Sequence, residues 1–493
     1  MKKIAVLYAL ALVLLCLSCT VRAPRDFTRV GESPRLSGAA DSITLPCNIA
    51  PLNFTIEEAG DDYVTVLADA AGHELVCGGR EVQWSLDKWR GLLQASKGAT
   101  LQVKVYVKRQ GRWLLFAPLS WEVAREPIDG YFCYRAIPPS YVHYENMSIR
   151  QRNLTNFDEQ VLYDTRLGKN RTANQCVNCH NFQMGSTRNM QLHVRGSNGG
   201  TIIVWRGKAQ KVDFSAAGLL SSAVYPAWHP TLPLIAYSVN QTWQQFYKKD
   251  LQRVEVQDSY SHLILYDVEH SRVTQLPADS NLLQTFPAWS PDGGYLYYAA
   301  ARIPFKGESR DNFLRQHYDS IRYDILRMKY NMATGGFSQP DTLFCASALG
   351  LSATLPRVSP DGRFLIFTVA RYGTFHIWHR TSDLWIMDLT NGSVRPLVEL
   401  NSPNVESYHS WSSNSRWLLF ASRRDDGAYT RPYIAYLRSD GTFSRPFAVP
   451  QESPSFYARC LYSFNLPEFT LDAVSLSAHD LERVIHEPAV KAQ

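Results

Sequence analysis

Through the second half of the chain, apolar and polar positions alternate in short runs broken by tight turns, and one passage returns four times. Tyr225-Pro226-Ala227-Trp228 leads through His229-Pro230-Thr231 into Leu234-Ile235-Ala236-Tyr237, and Phe286-Pro287-Ala288-Trp289 leads through Ser290-Pro291-Asp292-Gly293 into Tyr295-Leu296-Tyr297-Tyr298. Leu355-Pro356-Arg357-Val358 continues through Ser359-Pro360-Asp361-Gly362 into Phe364-Leu365-Ile366-Phe367. Tyr408-His409-Ser410-Trp411 continues through Ser412-Ser413-Asn414-Ser415 into Trp417-Leu418-Leu419-Phe420. Each passage predicts a strand, a turn and a returning strand; Pro presets φ at the corner and Gly accepts φ > 0 there.

A third strand is expected after each hairpin, at 262–268, 323–328, 383–389 and 432–437. Turns such as Asn391-Gly392 and Asp440-Gly441 then lead into a short fourth. A four-stranded unit cannot bury both faces alone, so recurring units are expected to pack radially as a β-propeller over 196–470. Strands near 199–205 and 460–466 would bring the count to five or six blades, with six favoured. Residues 41–140 alternate without the repeat, as in Leu101-Gln102-Val103-Lys104-Val105-Tyr106-Val107, and predict a small β-sandwich. Residues 20–40 read as a linker and 141–195 as a connector with few strands. The tail, 471–493, is expected to be a short helix or disordered.

Composition agrees with an all-β chain: 12% of its 493 residues are aromatic and 19% charged. The net charge of +6 is spread without a basic run, so no nucleic-acid partner is expected. At the N-terminus, Lys2 and Lys3 precede an apolar run that ends at Cys16-Leu17-Ser18-Cys19. This predicts export, with 1–19 as a signal peptide and Cys19 as a lipid-bearing residue that ties the protein to a membrane of the cell envelope. A cut after Ala23, giving a soluble secreted form, is the alternative. Cys47, Cys77, Cys133, Cys345 and Cys460 are an odd set. A disulfide among the first three, or buried thiols, are both open.

One motif carries candidate chemistry. Cys176-Val177-Asn178-Cys179-His180 has the C-x-x-C-H spacing of a covalent haem c site, in which two thiols join the porphyrin and His180 binds the iron. Met190 and His193 are the candidates for the opposite metal position. A zinc site, a redox dithiol and a plain structural clip are the competing readings.

The four repeats resemble the TolB-like propeller, whose blades carry a W-S-P-D-G signature. The resemblance covers roughly 195–470 and is strongest at 285–299 and 354–368. It implies a surface on which an envelope protein docks. With the motif, it leads to an expected monohaem protein for electron transfer or redox sensing. The alternatives are an interaction or envelope-assembly scaffold without haem, and a channel that holds a saccharide or peptide. Without a G-x-S-x-G elbow the chain is expected not to be an enzyme, and an electron carrier at most.

Overall fold

The computed structural model describes residues 21–493 except 140–145, 167–175, 197, 248–249, 251, 278, 280 and 304–308. Cys19, the expected lipidation site, lies outside the described residues. The chain divides into two compact units, one of residues up to Pro127 with Pro450–Arg459, the other of Ile128–Val449 with Cys460–Gln493.

The first unit contains a seven-stranded and a three-stranded sheet. Its longest strand, Thr100–Arg109, buries Leu101, Val103, Val105 and Val107, as the alternation predicts. Phe54 of the small sheet meets Trp121 of the large one edge to face, with centroids 6.0 Å apart. The helix Leu86–Ala95 is anchored by Trp89, whose Nε1 donates to the Ile49 carbonyl at 2.9 Å. The expected linker is not free: Thr28–Arg29 and Leu36–Ser37 each pair into one of these sheets.

In the second unit, six sheets of four or five strands each present one strand to a common centre. These innermost strands are β1 (Cys176–Gln183), β2 (Ala223–Trp228), β3 (Leu282–Trp289), β4 (Ser352–Val358), β5 (Glu406–Trp411) and β6 (Ser463–Thr470). Each touches the next and β6 returns to β1, so the ring is closed. The architecture is an all-β propeller. The ring is sealed where the start of this unit meets its later part: β6 hydrogen-bonds to Tyr131–Ile137, followed outward by Ser148–Asn153 and Glu159–Asp164.

This overturns the expected connector at 141–195 and the expected propeller start at 196. Among the described residues of that segment, strands Ser148–Asn153, Glu159–Asp164, β1 and Ser186–Arg195 belong to two of the six sheets. The tail is likewise built in. Ser477 caps helix Ala478–His486, which buries Leu481, Val484 and Ile485, and Val490–Lys491 adds a strand to the β1 sheet. Every described cysteine is a free thiol, so no disulfide joins Cys47, Cys77 or Cys133.

One device recurs in all six innermost strands. Cys179, Tyr225, Phe286, Leu355, Tyr408 and Leu466 each have φ between 37° and 56°, at a break in strand register. A bulge adds a residue and re-aims its side chain. Holding a non-glycine residue there costs about 1–2 kcal/mol. Pro follows the bulged residue in four strands, at 226, 287, 356 and 467, and His follows it in two, at 180 and 409.

Candidate functional site

Side chains from the bulges meet around the central channel and narrow it to a waist. Cys179, Tyr225, Tyr408 and Leu466 line the space on both sides of it. On one side lies a mouth of about 250 Å³, bordered by all six innermost strands. On the other lies a chamber of about 430 Å³.

The mouth is built by the two residues after each Pro or His. The second of these is Phe182, Trp228, Trp289, Val358, Trp411 and Phe469 in ring order. The tryptophans also lock neighbouring sheets: Trp289 Nε1 donates to the Ala227 carbonyl at 3.1 Å, and Trp411 Nε1 to the Arg357 carbonyl at 3.3 Å. The first is Asn181, Ala227, Ala288, Arg357, Ser410 and Glu468. Three of these accept from the bulge backbone of the next sheet: Asn181 Oδ1 from Trp228 N at 3.3 Å, Ser410 Oγ from Phe469 N at 3.0 Å, and Glu468 Oε1 from Phe182 N at 3.2 Å. Asn181 Nδ2 adds a bond to Glu468 Oε1 at 2.7 Å.

Arg357 departs from this pattern. It has no acceptor to offer, and its one described hydrogen bond is from Nη1 to its neighbour's carbonyl, Pro356, at 2.9 Å. Burial lowers its pKa and Glu468 opposes that shift. Burial raises the Glu468 carboxyl to about 8, against the pull of Arg357 and the bonds from Phe182 and Asn181. Glu468 is therefore mostly neutral at pH 7 and can donate through Oε2. The His180 ring, buried beside it with Nε2 4.0 Å from Glu468 Oε2, has no hydrogen-bond partner for either nitrogen. Burial, helped by Arg135, lowers it to about 4, so it is neutral.

The C-x-x-C-H residues thus run along a strand through the waist. Cys179 sits in the constriction, His180 on the mouth side, and Cys176 outside both spaces, its Sγ accepting from Asn178 Nδ2 at 3.2 Å. Cys176 pairs with Arg195 and Asn178 with His193 in the neighbouring strand. A strand advances about 3.3 Å per residue, so the two cysteines stand about 10 Å apart along it, before the bulge shortens the span. Residues three apart on a helix are about 5–6 Å apart. Covalent haem needs both thiols and the imidazole on one ring, and in β1 as folded the three do not converge. The residues present do not fit the group.

The two candidates for the opposite ligand are also apart. Met190 is sealed in an apolar core with Leu192 and Val194. His193 falls on the other face of that strand, with Nδ1 3.0 Å from Thr201 Oγ1, and burial with Arg195 lowers its pKa to about 3. Among the described residues no three His, Cys, Asp or Glu side chains form a group able to hold a metal ion.

Reading the sequence by its motif spacing missed that Cys179-His180-Asn181-Phe182 is a fifth copy of the repeat and Leu466-Pro467-Glu468-Phe469 a sixth. The signal was there, in an apolar or thiol residue followed by Pro or His, then two positions later by an aromatic ring.

No family model matches the chain, and no curated protein matches it. Solved structures similar to it include an oligogalacturonate lyase from Vibrio parahaemolyticus, with 12% identity over 63% of this chain and 92% of that one and a TM-score of 0.32. A GH74 enzyme from Niastella koreensis has 10% identity over 65% and 47%, with a TM-score of 0.37. The β-propeller domain of Cps50 (Swd1) from Myceliophteria thermophila has 12% identity over 56% and 87%, with a TM-score of 0.28. At these values the likeness assigns no activity to this chain. It does correct the expectation that the chain is not an enzyme: a lyase and a GH74 enzyme stand among its structural neighbours, so a missing hydrolase elbow does not exclude catalysis.

Proposed function

We propose that this is an exported, TolB-like propeller protein of the cell envelope that takes a saccharide or the end of a peptide into the mouth of its channel. The reading rests on one observation. The mouth carries aromatic side chains around its rim, with two alanines, Ala227 and Ala288, on one side and a polar arc of Arg357, Ser410, Glu468 and Asn181 on the other. Such a site suits a ligand with one apolar face and one hydrogen-bonding edge. Arg357 has donors to spare, and a protonated Glu468 supplies another.

Calorimetric titration with neutral and acidic oligosaccharides and with short peptides tests this. A binder should be found, and Arg357→Gln should weaken it by about ten-fold or more, as loss of a charge-assisted hydrogen bond does. If no compound binds, or Arg357→Gln binds equally well in folded protein, the reading is wrong.

Electron transfer through covalent haem would need β1 to leave the ring. Haem-specific staining of protein made with c-haem maturation machinery, beside its Cys176→Ala variant, decides that alternative. Mass spectrometry of the mature N-terminus decides whether Cys19 carries lipid.

A further inference from the structure

The chamber on the far side of the waist has a different chemistry from the mouth. Two guanidinium groups line it: Arg135, from the strand that seals the ring, and Arg195, at the end of the strand paired with β1. Neither guanidinium makes a hydrogen bond or ion pair with a described residue, and Arg135 Nε is enclosed with no partner among them.

The groups that bear most on the charge of Arg135 are Cys179, Tyr408, Cys176 and Arg195. None is a carboxylate, and Arg195 repels it. Among the described residues, no Asp or Glu lines the chamber. Asp258, close by, is already engaged by Asn240 Nδ2 at 2.9 Å and Tyr323 OH at 3.5 Å. The rest of the described wall is uncharged, with Asn178, Ser222, Gln241 and Thr242 set among apolar side chains such as Val224, Val256 and Phe375.

The half-buried Arg135, with no counter-charge among the described residues and the like charge of the exposed Arg195 beside it, is costly to keep. A multiply charged oxyanion relieves that cost, because its oxygens can accept from both guanidinium forks at once. Neutral amides and hydroxyls can take up the remaining oxygens. A singly charged carboxylate would balance only one of the two arginines.

We infer that this chamber is a binding site for a phosphate-type dianion, free or borne at the end of a larger molecule, held between Arg135 and Arg195. The inference stands apart from the mouth, which lies across the waist and shares neither arginine. Loss of mouth ligands in Arg357→Gln leaves this site intact, and the reverse holds.

The test is calorimetry and thermal unfolding of the full mature chain with inorganic phosphate, at ionic strength held constant with chloride. Phosphate should bind and raise the melting temperature by mass action, and acetate should do neither. Arg195→Gln, at an exposed position that leaves the core untouched, should weaken phosphate at least about ten-fold. Arg135→Gln should abolish the stabilisation and, without phosphate, melt no lower than the wild type, because an uncompensated charge has been removed.

If Arg135→Gln does not fold, Arg195→Gln decides. The inference fails if phosphate neither binds nor stabilises, if acetate does as well as phosphate, or if folded Arg195→Gln binds phosphate like the wild type. If inorganic phosphate binds, a phosphomonoester and a phospholipid headgroup, tried in turn, separate a free anion from one carried by a larger molecule.

Discussion

Replacing Glu468 by Gln should change how stability depends on pH, with little change in shape. Gln retains an oxygen that can accept from Phe182 N and Asn181 Nδ2, as Glu468 Oε1 does. What it loses is the titration. The folded carboxyl titrates at about 8, against an ordinary value of 4.5. Between those values the folded protein holds a proton that the unfolded chain has released. Stability from this group is therefore complete below about pH 4.5 and is lost as pH rises through 8.

Each pKa unit is worth about 1.4 kcal/mol, so the whole span sets a ceiling near 5 kcal/mol. The side chain is 21% exposed, toward the mouth, and solvent there reduces the figure to about 2 kcal/mol. Urea unfolding of both proteins from pH 5 to 9 reads this directly. The stability of Glu468→Gln minus that of the wild type should rise by about 2 kcal/mol across the range. Other acids raised in the same direction, Asp258 to about 7 and Asp383 to about 6, cancel in the difference. A difference that stays flat, or that grows toward acid, would refute a buried, protonated Glu468.

On the acid side the sign reverses. Burial lowers His180 and His229 to about 4 and His193, His376 and His409 to about 3, so their stabilising contribution is complete above pH 6.5 and lost as pH falls toward those values; urea midpoints should drop steeply between pH 6 and 4, and an unchanged midpoint counts against their burial. Trp289→Phe keeps the ring but loses the bond to the Ala227 carbonyl, and should cost about 1–2 kcal/mol, whereas Trp289→Ala should cost about 3–5 kcal/mol in the same unfolding assay. A chain ending at residue 476 loses the buried Leu481, Val484 and Ile485 and the strand at 490–491, and should unfold at least about 3 kcal/mol more easily; a truncation that costs nothing would mean that the tail is not part of the core.

The four hairpins at 225–238, 286–299, 355–368 and 408–421 were legible because turn chemistry and two-residue alternation agree there. The other two blades were not. In β1 the turn signal Pro-Asp-Gly gives way to Met184-Gly185, and Cys179-His180 stands where Leu355-Pro356 stands in the clearest copy. In β6 the outer strands lie more than 300 residues upstream, at 131–164, and no local pattern can join segments so far apart. The C-x-x-C-H spacing then drew attention to the wrong geometry, since it brings thiols and imidazole together only where the backbone coils. That β1 is extended follows from its place in the ring, which the spacing does not encode. The sandwich was legible from alternation, but the return of Pro450–Arg459 to that unit was not: Asn53 Nδ2 donates to the carbonyls of Gln451 at 3.2 Å and Glu452 at 2.9 Å, a pairing of distant residues.

A ring of repeated strands tends toward symmetry, and a symmetric channel has little means of choosing a ligand. Here the bulge is kept six times while the side chains next to it diverge. Where the small residue is retained, at Ala227 and Ala288, the mouth is apolar. Where it is replaced, at Asn181, Ser410 and Glu468, the new polar group first satisfies a backbone amide of the next sheet, which gives each a sufficient structural reason. Arg357 has no such reason, since it satisfies no neighbouring sheet and bonds only to its own chain. The same holds across the waist for Arg135 and Arg195, which satisfy no described partner. Structural need accounts for the repeated parts of the channel and stops at these three arginines. Burial makes Arg357 and Arg135 the costly ones to keep, and both call for an acceptor, while the exposed Arg195 adds a like charge beside Arg135.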